Sequence, residues 1–123
     1  MAFTIENKEK YVVVTSDFDK VDSTVSPELK SHFVMANSKG YRNIIFDLSA
    51  TRYCDSSGLS AILVGNRLCN GVNGSFVVCG VQESVMKLIS ISQLDSILNI
   101  VPTAPEAEDM IFMEEIEREL GEE

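Results

Sequence analysis

The stretch Asn43–Val64 reads N-I-I-F-D-L-S-A-T-R-Y-C-D-S-S-G-L-S-A-I-L-V. Its first six residues form a short apolar run that ends in Asp47-Leu48, which reads as a buried strand. A polar connection follows, and then Tyr53-Cys54-Asp55-Ser56-Ser57-Gly58-Leu59. Beyond it, Leu59, Ile62, Leu63 and Leu68 give a broad apolar face, so a largely buried helix starts near Ser56 or Ser57. A buried strand feeding a buried helix brings the connecting tip to the surface at one end of a sheet. Crevices at that edge are where open α/β sheets bind ligands.

The flanking segments repeat the alternation. Phe3–Asn7 and the apolar, β-branched Tyr11–Thr15 read as two strands joined by a turn over Asn7–Lys10. The second is apolar enough to be a central strand covered on both faces. Asp17–Ser26 is polar and turn-rich. Ser26-Pro27-Glu28 then opens a helix, with Ser26 able to cap it and Pro27 at the first helical position. Leu29, Phe33, Val34 and Ala36 supply its inward stripe, and Gly40 ends it. After the second helix come a Gly71–Gly74 turn, a strand over Ser75–Cys79 and a short helix over Gln82–Ser90. In that helix Val85, Met86, Leu88 and Ile89 point inward. Ser96–Val101 reads as a last strand. Thr103-Ala104-Pro105-Glu106 has the spacing of a capping box, and it begins a helix with Ala107, Met110, Met113, Ile116 and Leu120 at three- and four-residue intervals. The order is β-β-α-β-α-β-α-β-α. This predicts an α/β fold with a mixed sheet of four or five strands packed against about four helices.

Composition bounds the function. The 123 residues suit one domain over 1–123, and 45% hydrophobic with 24% charged residues is ordinary for a folded globule, which excludes disorder and collagen-like structure. The net charge is −9, of which residues 105–123, with nine carboxylates and one arginine, hold −8. That balance argues against nucleic acid and anionic lipid as partners. The acidic helix over 104–120 is expected to be part of the domain. It reads either as a solvated face or as an electrostatic handle for a basic partner. Cys54, Cys69 and Cys79 are odd in number, lack C-x-x-C spacing and have one histidine beside them, so no zinc set is expected. With no signal-peptide pattern in Met1–Lys10 and no apolar run of about 18 residues, a cytoplasmic protein that does not insert into membranes is expected.

Enzyme signatures are missing from the sequence: there is no phosphate-binding G-x-x-x-x-G-K-[ST], no G-x-G-x-x-G, and only half of G-x-S-x-G around Ser56. His32 reads as a surface or groove-edge residue. Asp47 and Asp55 occupy ordinary turn and cap positions. The adjacent hydroxyls of Ser56 and Ser57 read either as helix-capping groups or as modifiable ones. A phosphate on Ser57 would add about −1.5 to −2 charges at a helix N-terminus, whose unpaired N–H groups tolerate an anion. Asp55, and Asp22 from the polar loop, would be like charges nearby. Gly58 would leave the hydroxyl unshielded. Such a surface changes charge while its backbone stays put.

The Asn43–Val64 stretch resembles the signature of the STAS domain, found in anti-sigma factor antagonists and at the C-termini of sulfate transporters. The resemblance extends to the Gly71–Gly74 turn, Ser75–Cys79 and the M-K-L-I-S-I-S-Q-L segment. It implies that Ser57 accepts phosphate, with Ser56 as its neighbour. It also implies that Asp22, Ser23, Asp55, Ser56, Ser57 and Gly58 belong to the partner surface. An acid in the loop before the first helix is expected near the acceptor, with Asp22 and Asp19 as competing candidates. The implied mechanism is partner switching. Unphosphorylated protein binds an anti-sigma factor that is also a serine kinase, phosphorylation of Ser57 ends the interaction, and a PP2C-like phosphatase restores it. No cofactor or metal is implied for this chain, and a monomer or weak edge-strand dimer is expected. A constitutive STAS subunit binding the ATPase of a lipid-transporting ABC complex, and a nucleotide-binding module, are the alternatives. An enzyme ranks last.

Overall fold

The computed structural model describes residues 2–121. Five strands form the main sheet in the order β1-β2-β4-β6-β7: Phe3–Asn7, Val12–Ser16, Ile44–Asp47, Phe76–Cys79 and Asn99–Val101. β1 and β2 are an antiparallel hairpin, with Ile5 opposite Val14. Every later pairing is parallel, with Val14 opposite Phe46, Phe46 opposite Val78, and Val78 opposite Ile100. Four helices accompany it: α1 (Ser26–Ser38), α2 (Ser56–Gly71), α3 (Glu83–Ile91) and α4 (Ala104–Gly121). The mixed sheet and four helices match the expectation from sequence.

The period-two alternation of the strands sorts the core into two halves. Val12, Val14, Ile44, Phe46, Phe76 and Val78 face α1, α2 and α3 in the larger cluster. Ile45, Val77 and Cys79 face the other way, onto Ala107 and Ile111 of α4. Three helices thus cover one face of the sheet and α4 alone covers the opposite one. Phe33 meets both Phe46 and Phe76 edge-on, with ring centroids 5.4 Å apart in each pair.

Several local expectations need correction. Val34 is exposed, so Leu29, Phe33 and Ala36 form the buried apolar stripe of α1. Leu94–Ser96 is a 3-10 turn, which shortens the last strand to Asn99–Val101. The polar stretch Asp17–Ser26 contains a two-residue strand, β3 (Lys20–Val21), paired in parallel with β5 (Tyr53–Cys54) as a small second sheet.

The largest departure is in α4. Its buried residues are Ala107, Ile111 and Glu115, a row at four-residue spacing. Met113, Ile116 and Leu120 are instead 59%, 52% and 64% exposed. The helix is turned this way by a polar anchor that outweighs its apolar pattern. Glu115 takes a two-pronged bond from Arg42 (Nε to Oε1 3.0 Å, Nη2 to Oε2 2.6 Å) and a 2.6 Å bond from the Asn43 amide. Arg118 adds a 3.3 Å bond. Paired bonds of this kind hold a planar carboxylate in one orientation. The guanidinium of Arg42, with Asn43 and Arg118, holds the Glu115 carboxyl down at about 2. At the start of α4, Glu106 N–H donates to Thr103 Oγ1 at 3.4 Å, one half of the expected capping box. Tyr11 donates to Glu108, and its ring meets Phe112 edge-on.

Among the described residues no helix is long and apolar enough to cross a membrane, and no group of three or more His, Cys, Asp or Glu could hold a metal ion.

Candidate functional site at the start of the second helix

The small β3–β5 sheet positions the site. Arg52 N–H and Tyr53 N–H both donate to Asp19 O (2.9 and 3.0 Å), and Asp55 N–H donates to Val21 O at 3.3 Å. These bonds fasten the 17–26 segment against the residues that lead into α2. Gly58 is buried at this seam. A Cβ there would lie 2.3 Å from Cys54 Sγ and 2.7 Å from Val21 O. The glycine is required by close backbone approach, not by access to the neighbouring hydroxyl.

Asp55 is the N-cap of α2. Its Oδ1 accepts from Ser57 N–H at 2.9 Å, Gly58 N–H at 3.1 Å and the Ser57 hydroxyl at 2.6 Å. The Ser57 hydroxyl and these amides hold the Asp55 carboxyl below the usual carboxylate range. Asp55 is therefore a weak base that orients the hydroxyl.

Ser57 is half-buried and Ser56 exposed. The Ser57 oxygen also lies 3.0 Å from the hydroxyl of Ser26, which is 2% exposed. Ser26 does not cap α1. Val25 holds that position without a side-chain bond, Ser26 is the first helical residue and Pro27 the second. The Ser26 hydroxyl reaches Asp22 O at 2.7 Å. Two hydroxyl protons thus serve two oxygens, Asp55 Oδ1 and Asp22 O, besides each other, and whichever way they point, Ser57 Oγ retains an unused lone pair. Sequence reasoning missed Ser26 because S-P-E at a helix start reads as a cap. Its contact with Ser57 spans 31 positions and has no local signature.

The two candidate loop acids have different partners. The Asp19 carboxylate is engaged by Arg52 at 2.7 Å. Asp22 lies close enough to Asp55 for their charges to interact, and its backbone carbonyl accepts from the Ser26 hydroxyl that meets Ser57. Thr24, donating from its hydroxyl (2.6 Å) and its N–H (3.0 Å), lowers the pKa of Asp22. Ser23 is exposed on the same loop. An open pocket of about 350 Å³ runs along this edge, lined by Lys20, Val21, Asp22, Tyr53, Cys54 and Asp55. His32 lies 3.2 Å from Glu28 on its own helix and edge-on to Phe3, which gives it a local structural role.

The burial of Cys54, with Asp55 next to it, pushes its thiol up to about 12. The free thiols of Cys69 and Cys79 are likewise raised to about 12 by burial.

Comparison with known proteins agrees with this arrangement. The family model described as "STAS domain" matches residues 4–107. The "Putative anti-sigma factor antagonist BtrV" of Bordetella bronchiseptica is 29% identical over 84 residues, covering 68% of this chain and 70% of that protein. Two solved structures share the fold. One is an anti-sigma factor antagonist from Mycobacterium paratuberculosis (TM-score 0.80, 20% identity, 89% of this chain and 92% of that one). The other is the Bacillus cell fate determinant SpoIIAA in its phosphorylated form (TM-score 0.71, 23% identity, 89% of this chain and 99% of that one). With the family model matching residues 4–107 and solved antagonist structures sharing the fold, the chain belongs to the STAS domain family.

Proposed function

We propose that this protein is an anti-sigma factor antagonist of the partner-switching kind, with Ser57 as its phosphoryl acceptor. The observation that carries the reading is the Ser57 hydroxyl itself. It is half-exposed at the N-terminus of α2, oriented by Asp55 at 2.6 Å and backed by Ser26 at 3.0 Å. Two similarities support it: the Bordetella bronchiseptica relative is named "Putative anti-sigma factor antagonist BtrV", and a structural neighbour has been solved in a phosphorylated form.

The chemistry assigns this chain a small part. A serine kinase brings ATP and Mg²⁺. Ser57 Oγ attacks the γ-phosphorus, the bond to the ADP oxygen breaks, and the hydroxyl proton leaves to the kinase's base. The Asp55 carboxylate holds the acceptor, Asp22 adds a like charge from the neighbouring loop, and the exposed Ser23 and Ser56 complete the surface that the kinase and anti-sigma factor cover, with Gly58 buried beneath it. Once phosphorylated, Ser57 Oγ has no proton to give Asp55, and a contact that was a hydrogen bond becomes one between two electron-rich oxygens. The dianion is turned outward, toward the partner. Repulsion there, with desolvation of the phosphate, lowers partner affinity. A coupling of about 1–3 kcal/mol corresponds to a 5- to 150-fold change. A PP2C-like phosphatase in the cytoplasm reverses the step.

The test is binding to a candidate anti-sigma kinase by wild type, Ser57→Ala and Ser57→Asp, with intact mass measured after incubation with Mg-ATP. Wild type should gain one phosphate and Ser57→Ala none, and Ser57→Asp should bind more weakly than Ser57→Ala. Phosphate on Ser57→Ala, or equal binding by the two variants, refutes the proposal.

A further inference from the structure

The face of α4 that points away from the sheet has no partner within the described chain. Met113, Ile116 and Leu120, all more than half exposed, follow one another at three- and four-residue steps and form one seam along the helix. Beside the seam, α4 and the edge strand β7 enclose an open groove of about 510 Å³. Val101, Met110 and Met113 form its apolar floor, and Glu106, Asp109 and Glu117 form its rim. No lysine or arginine lines it among the described residues. Arg118, the one base of α4, is turned to Glu114, Glu115 and Ser75.

Charge selects among the occupants such a surface could take. A second copy joined through this face would set Glu106, Asp109 and Glu117 against the same three carboxylates. An anionic membrane would repel it for the same reason. A helix with an apolar stripe flanked by lysine or arginine satisfies both the seam and the rim.

We propose that the outer face of α4 is a docking surface for a basic amphipathic helix of a partner protein. It lies across the sheet from α2, so a partner seated there leaves Ser57 uncovered. One chain could then hold a partner at each face.

The test uses the full chain and two labelled synthetic peptides matched to the 18 residues of α4. One carries leucine at the seam positions and lysine beside them. The other has the same composition, with the stripe broken by permutation. Fluorescence anisotropy should show the ordered peptide binding at least about tenfold more tightly, a difference of about 1.4 kcal/mol. Met113→Ser/Ile116→Ser/Leu120→Ser should erase that preference, and the single Met113→Ser should reduce it. Glu106→Gln/Asp109→Asn/Glu117→Gln should weaken both peptides and flatten their salt dependence. These positions are exposed, so circular dichroism should be unchanged. Equal binding of the two peptides, or a serine triple variant that keeps the preference, overturns the proposal. So does dimerisation in sedimentation that the serine triple variant abolishes, or attachment to phosphatidylglycerol vesicles through the same residues.

Discussion

Replacing Glu115 by glutamine keeps the shape of the side chain and removes its charge. In the native protein Oε1 accepts from Arg42, Asn43 and Arg118, while Oε2 accepts from Arg42 Nη2 at 2.6 Å. An amide offers one acceptor oxygen in place of two. If the carbonyl takes the Oε1 position, the amide nitrogen faces Arg42 Nη2, donor against donor. Two routes give the cost. The carboxyl is lowered from 4.5 to about 2, which at about 1.4 kcal/mol per pH unit amounts to on the order of 3 kcal/mol favouring the ionised form. Removing one partner from a buried ion pair costs a similar amount, about 3–5 kcal/mol. Because the folded pKa is depressed, this stability is fully present above pH 4.5 and is lost as the pH falls toward 2. Urea unfolding at neutral pH should therefore show Glu115→Gln about 3 kcal/mol less stable than wild type, with a melting midpoint lower by about 10 °C. The gap should close on acidification, because the wild-type carboxyl is then protonated too. A variant within about 1 kcal/mol of wild type at neutral pH, or a gap that persists at the acid end, would refute the view that this anchor sets the orientation of α4.

Other outcomes follow from the same geometry. Asp55→Ala removes the cap of α2 and should cost about 1 kcal/mol in thermal unfolding, while Asp55→Asn, which keeps an acceptor oxygen, should cost less. A Cβ at Gly74 would fall 1.6 Å from Arg42 O, whereas one at Gly71 meets nothing within 4 Å. Gly74→Ala should therefore destabilise by about 1–3 kcal/mol or more and Gly71→Ala should be close to neutral, as denaturant midpoints will show. Cys54, Cys69 and Cys79, each raised to about 12, should resist alkylation at pH 8 in the folded protein and react quickly in urea; rapid labelling of the native state would contradict the burial assigned to them.

Much of the architecture is legible in residue order, because the elements of the main sheet carry their own periodicity. N-I-I-F-D-L and S-F-V-V-C alternate between two buried faces, and the structure divides Ile44 and Phe46 from Ile45 accordingly. α4 misled the reading for a definite reason. Hydrophobic spacing favours Met113 and Ile116, but the helix is oriented by a carboxylate whose partners, Arg42 and Asn43, lie more than seventy positions away. A buried glutamate is invisible to any pattern that ranks residues by apolarity. The candidate site divides in the same way. Asp55, Ser57 and Gly58 are adjacent in sequence and stand out there, whereas Ser26 and Asp22 join them only through β3 and β5. Those strands are two residues each and too short to show alternation.

That miniature sheet also limits what the 17–26 segment tolerates. Surface connections ordinarily accept insertions freely. Here Val21 is wholly buried and Lys20 beside it is exposed, so one extra residue slipped in after Asp19 would exchange inside for outside along the pair. Ser26 would be carried off its place behind Ser57 by the same displacement. The length of this segment is therefore a specification in its own right, and homologous loops can be exchanged here only count for count.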